Sequence, residues 1–163
     1  MNELRQTFER LTGGLDYPML IVTAAAGEQQ AGCLVGFATQ CSIDPPRFLV
    51  CISDKNHTYD VARHAVSLAV HFPPPTAMEL ARLFGSETED HVDKFTRCRW
   101  RRGPRGLPIL EECPRWFAGT ITERRRLGDH VGFVLEPFAA SAEGDPGTLS
   151  FSQARELEPG HDA

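Results

Sequence analysis

A mainly β fold, an antiparallel β barrel with a few peripheral helices, follows from three features of this 163-residue sequence. Short β-rich runs recur along it, separated by turn residues such as Gly27, Pro45-Pro46 and Gly128. Between Trp116 and Arg125, Phe117, Gly119 and Ile121 alternate with Ala118, Thr120 and Thr122, the two-residue period of a half-buried strand. Helical periodicity is confined to three short stretches. Many short strands with small helices fit a barrel better than a layered α/β sheet.

Leu4, Phe8 and Leu11 share one face of a first helix, which stops at Gly13-Gly14. Residues 17–23 read as a strand, 24–30 as a hairpin loop around Gly27, and 31–37 and 48–53 as the next strands. Residues 56–64 look helical, and 67–72 return as a strand that ends at Pro73. Thr76, with Glu79 three residues on, has the pattern of a capping box that opens another helix. Residues 85–95 form an acidic loop, and 97–105, with five arginines and Trp100, a basic one. Pro108–Leu110 is a short apolar strand, and 116–125 and 130–135 are two strands around a turn at Gly128. The C-terminal tail is polar, with a short strand expected at 148–151.

Size and composition fit one ordinary globular domain over residues 1–163, 41% hydrophobic and 24% charged. The net charge of −5 resides at the end of the chain: from Glu136 onward there are six acids and one base, which leaves 16 of each before it. A neutral body argues against nucleic-acid binding. No apolar run approaches the length of a membrane span, and the N-terminus has no apolar signal-peptide core. Five cysteines, odd in number and without CxxC spacing, point to reduced, mostly buried thiols and a cytoplasmic location. No His, Cys or carboxylate cluster has ligand spacing, so no metal site is expected. Rossmann and P-loop motifs are absent.

Chemistry concentrates in two donor-rich segments at strand ends, either side of the Asp44-Pro45-Pro46 turn. The first runs from Gly36 to Ser42 and the second from Ser53 to Thr58. Gly36 lets a backbone approach a planar ring, and Thr39, Gln40 and Ser42 offer polar side chains. Asn56, His57 and Thr58 open a helix, where N–H groups favour an anion, and Lys55 adds a positive charge. A plain strand followed by a Pro-Pro turn, and a simple N-cap, are the alternative readings. Together the two segments could hold a planar, anionic ligand.

Two further features share this order along the chain: His71-Phe72 at a strand end, with an acidic loop leading to Asp93-Lys94-Phe95, and the Gly128-Asp129-His130 motif before a strand. With the Asp-Pro-Pro turn and the second cluster, they resemble the flavin reductase-like family of FMN-binding split barrels, over roughly residues 15–138. The resemblance implies an antiparallel split β barrel that binds FMN or FAD at a homodimer interface. It also implies reduction of that flavin by NADH or NADPH, with a separate oxygenase as recipient. The cofactor shell it implies is Gly36, Phe37, Ala38, Thr39, Gln40, Cys41 and Ser42, with Ser53, Lys55, Asn56, His57 and Thr58. His130 becomes the residue facing the nicotinamide, with a solvated turn histidine as its alternative. The chain departs from the family in having Leu34-Val35-Gly36-Phe37 where hydroxyl residues are common, and Asn56 where a serine is common. Backbone contacts then carry more of the first segment.

The rival reading is a non-catalytic module that stores a flavin, haem or deazaflavin. His71 is expected to be a packed strand-end histidine, and His64 and His91 solvated. The basic loop is either a solvated surface or a guanidinium clamp for a dinucleotide phosphate.

Overall fold

The computed structural model describes residues 1–86 and 93–155. In chain order the elements are α1 (Asn2–Gly13), β1 (Leu20–Ala26), β2 (Gln29–Val35), β3 (Ala38–Ser42), β4 (Arg47–Ser53), α2 (His57–Ala62) and β5 (Ser67–His71). They continue with α3 (Met78–Ser86), β6 (Trp100–Arg102), β7 (Pro108–Leu110), β8 (Arg115–Arg126), β9 (His130–Ala142) and α4 (Phe151–Ala154). Seven strands form one sheet in the order β2-β1-β5-β8-β9-β4-β3, while β6 and β7 pair separately. Every pairing is antiparallel.

The sheet curls around a core drawn from its two ends and its middle: Leu20 and Val22 of β1, Cys33 and Val35 of β2, Val50 and Ile52 of β4, Leu68 and Val70 of β5, and Phe133 and Leu135 of β9. Val61 and Ala62 of α2 plug this interior. Because β2 and β3 are not paired with each other, the barrel is split between them. The expected split barrel is thus the observed architecture.

The outer face is covered too, which the alternation in 117–122 did not foretell. Leu107 and Ile109 lie on Ala69 and Ala118, so Phe117, Ala118 and Gly119 are all buried and the middle of β8 is not half-exposed. His71 is locked in this second layer. Its Nδ1 donates to the Ile21 carbonyl at 3.0 Å, and its Nε2 accepts from the Leu110 N–H at 3.0 Å. Burial pushes its pKa from 6.5 down to about 4, so the ring is neutral and structural.

Several local expectations change. Residues 38–42, read as a donor-rich segment with a plain strand as its alternative, form a strand, β3. β9 runs on to Ala142 through the segment taken as the start of a polar tail. Residues 148–151 make no strand: Ser150 bridges Pro18 and caps α4 through a box with Gln153. The third helix begins at Met78, after a turn in which the Ala77 N–H bonds the Pro74 carbonyl, so Thr76 is not its cap. Within the basic stretch, Trp100–Arg102 is a strand paired with Pro108–Leu110. His91 lies outside the described residues, and His64 is exposed as expected. Among the cysteines, none of which is in a disulfide, only Cys33 and Cys113 are buried, whereas Cys51 and Cys98 are half-buried and Cys41 is exposed. "Mostly buried" was therefore too strong.

Candidate functional site

The first cluster sits at the open side of the split. Gly36 and Phe37 carry the chain from β2 to β3, and the Cys51 N–H holds the Phe37 carbonyl at 2.9 Å. A Cβ on Gly36 would lie 2.7 Å from Tyr17 Cε2 and 3.2 Å from Met19 Sδ. Glycine is thus needed here to admit the segment before β1, a packing role beside the ligand role read from the sequence. Beyond it, Thr39, Gln40 and Cys41 are exposed, while Ala38 and Ser42 are half-buried. β3 is an edge strand with a bulge between Gln40 and Ser42, and among the described residues it pairs with β4 alone.

The second cluster follows β4. Ser53 is buried and its Oγ accepts from the Lys55 N–H at 3.3 Å. Asn56 is the N-cap of α2, its Oδ1 accepting from the Thr58 N–H at 2.9 Å. The Tyr59 N–H goes to the Asn56 carbonyl. The N–H groups of Thr58 and Tyr59 are thus already used, so an anion here relies on side chains more than the sequence implied. One of these stands out: Thr58 is 0% exposed and its hydroxyl has no hydrogen-bond partner among the described residues. An orphaned buried hydroxyl is rare in folded proteins and marks a site worth explaining.

The β8–β9 hairpin completes the arrangement. Strand register places His130 opposite Ser53, and the Asp54 N–H bonds the Asp129 carbonyl at 3.0 Å. The His130 ring lies 5.0 Å from the Phe37 ring, tilted by 50°. His130 Nδ1 donates to Asp129 Oδ1 at 2.8 Å, which turns Nε2 away from the carboxylate. That hydrogen bond to His130 holds the Asp129 carboxyl below its usual pKa. Arg126 donates to Asp54 Oδ2 at 2.7 Å. Sequence reasoning missed Asp54 and Arg126; the one signal was the Arg124–Arg126 run, and no local spacing links it to residue 54.

The fold therefore brings together Phe37, Ser53, Asp54, Asp129 and His130 through strand pairing and ring contact. The basic stretch is elsewhere: Arg105 stacks on Phe138 at 3.7 Å and donates to Thr120 Oγ1 at 2.9 Å, towards the other end of β9. Among the described residues, no group of three or more His, Cys, Asp or Glu could hold a metal. Nor is any helix among them long and apolar enough to cross a membrane.

The donor set fits a flavin. Ser53, Lys55 and the orphaned Thr58 hydroxyl suit its phosphate, the exposed edge of β3 offers backbone groups to its ring, and Phe37 supplies an apolar wall.

Residues 12–158 match the family model described as a flavin reductase like domain. A probable flavin reductase of Rhizobium meliloti is 30% identical over 114 residues, which are 68% of this chain and 36% of that protein. The FMN reductase (NADH) RutF of Methylorubrum extorquens is 30% identical over 152 residues, 93% of this chain and 71% of its own. In fold, the chain is similar to the NADH:FAD oxidoreductase of Streptomyces globisporus, with a TM-score of 0.82 at 23% identity over 93% of this chain and 90% of that one. The chain spans little more than a third of the length of the Rhizobium relative.

Proposed function

The chain belongs to the family of flavin reductase like domains, and from that premise we propose that it reduces FMN or FAD with NADH or NADPH. The observation that carries the reading is the meeting of three segments at one place: the bare β3 edge with Phe37, the Ser53–Thr58 cluster and the Asp129–His130 turn. The bound flavin supplies the redox chemistry, accepting a hydride from the reduced nicotinamide.

The protein's own part is positional. Ser53, Lys55, Asn56, His57 and Thr58 hold the phosphate end, and Gly36 to Ser42 line the ring. Phe37 keeps water from one side. Asp129, by accepting from Nδ1, directs His130 Nε2 outward, where it meets the carboxamide of the nicotinamide or the charge of the reduced ring.

Dimerisation belongs to the same reading. Phe37 is 56% and Ile43 84% exposed beside the site. The apolar residues Leu4, Phe8 and Leu11 of α1 are exposed as well, and no residue of that helix is buried. A second copy of the chain would cover such surfaces and close the site. A cytoplasmic setting suits five cysteines with no disulfide among them, and a separate oxygenase is the recipient of the reduced flavin.

The test is anaerobic mixing of flavin-loaded protein with NADH or NADPH, following the visible flavin band. Bleaching within a turnover supports the reductase. A stable oxidised flavin with either nucleotide would leave a storage module, and failure to take up any flavin would remove the reading altogether.

A further inference from the structure

The Ser53–Thr58 cluster contains a carboxylate where an anion is expected to bind. Asp54 lies between Ser53 and Lys55, with 26% of its side chain exposed. Alone it would repel a phosphate, which carries about −1.5 to −2 at neutral pH. It is not alone: Arg126, from the end of β8, donates to its Oδ2 at 2.7 Å and to the Gly128 carbonyl at 3.4 Å. The carboxylate raises the Arg126 pKa further, so the guanidinium stays charged. The Asp54 N–H meanwhile holds the Asp129 carbonyl, so Asp54 is a strut between the cluster and the His130 turn.

Two cations, Lys55 and Arg126, face two carboxylates, Asp54 and Asp129, so that removing one cation leaves these four groups net negative.

We propose that Arg126 is a specificity-determining residue for phosphorylated flavins: it cancels the Asp54 carboxylate, so that a structural acid can stand inside a phosphate-binding cluster. The inference rests on the flavin reading above. It assigns Arg126 no direct contact with the ligand; the residue acts through Asp54. Because Arg126 is more than half exposed, the effect is electrostatic and weakens with salt.

The experiment compares FMN with riboflavin, which has the same ring and no phosphate, by fluorescence titration of wild type, Arg126→Ala and the double variant Asp54→Asn/Arg126→Ala. The wild type binds FMN more tightly than riboflavin. Arg126→Ala weakens FMN binding about tenfold at low salt and leaves riboflavin within about twofold. The double variant regains most of the FMN affinity, because the repelling carboxylate has gone with its partner. Equal losses for both ligands in Arg126→Ala would mean a general structural role and overturn the proposal. So would failure of the double variant to recover, the outcome expected if Arg126 touched the phosphate itself. Equal wild-type affinity for the two ligands would remove the phosphate cluster, and the proposal with it. Riboflavin binding reports in every case that the variant is folded.

Discussion

The two edges of the sheet are finished in opposite ways. Along β2, helix α3 lies against the strand, with Phe84 packed over Gly32 and Leu34 packed on Gly85. The buried Lys94 ammonium donates to the Gly32 carbonyl at 3.1 Å and the Phe84 carbonyl at 3.3 Å. Along β3, Thr39, Gln40 and Cys41 face solvent beside an exposed Phe37. An uncovered edge invites unwanted pairing, and proteins usually blunt it. Here the chain blunts one edge with a helix and a buried lysine and leaves the other open to solvent. The difference separates what the fold needs from what a ligand needs.

If the closed half is purely structural, disturbing it should act on stability and spare ligand recognition. The largest effect comes from pH. His71 is neutral when folded, with a pKa of about 4 against 6.5 in the free side chain. The unfolded chain therefore takes up the proton first. Stability is complete above pH 6.5 and falls as the pH drops through 4, by up to about 3 kcal/mol. Urea unfolding between pH 7 and pH 4 measures this, and His71→Asn should flatten the profile. A next effect, about 2–3 kcal/mol, comes from Gly32→Ala, since a Cβ there would sit 2.6 Å from Phe84 Cε1 and 3.2 Å from the Val22 carbonyl. Thermal melting should show the loss, with FMN affinity of the folded protein unchanged.

On the open half the expected order reverses. Asn56→Ala with Thr58→Ala should weaken FMN binding by about 1–3 kcal/mol. Unchanged titration of the folded double variant would move the phosphate elsewhere. Smaller still, His130→Ala should leave flavin affinity nearly intact and lower kcat/KM for NADH about tenfold, through KM, kcat or both. An equal loss of flavin affinity would put His130 in the flavin's own shell, and unchanged reduction rates would make it a surface residue. Thr39→Val, on the bare edge, should change stability by under about 0.5 kcal/mol.

What could be read from the sequence divides along the same line. The strands of the closed half carry long apolar runs, so β1, β2, β4, β5 and β8 were visible within a few residues. β3 stood only as the alternative reading of its segment, because an edge strand that faces solvent has no apolar period to detect. The covered outer face of β8 was hidden for another reason: Leu107 and Ile109 are brought onto it by the β6–β7 hairpin, not by anything inside residues 116–126. The second half of β9 was read as polar tail; there Pro137 sits where the register with β8 shifts between Ala118 and Gly119. In the candidate site, the two donor clusters and Gly128-Asp129-His130 were legible as motifs. Their meeting was not, since the Phe37–His130 contact and the Arg126–Asp54 pair depend on β4 and β9 lying side by side. Gly36 carried a local signal for a close approach, but nothing in its sequence neighbourhood named Tyr17 and Met19 as the residues that pack there.

The contrast between the edges is tested most directly by amide hydrogen exchange with and without FMN. The account predicts added protection in residues 36–42 and 53–58, with smaller changes around 128–130 and none along β2 and α3. Protection confined to β2 and α3, or spread evenly through the sheet, would contradict it.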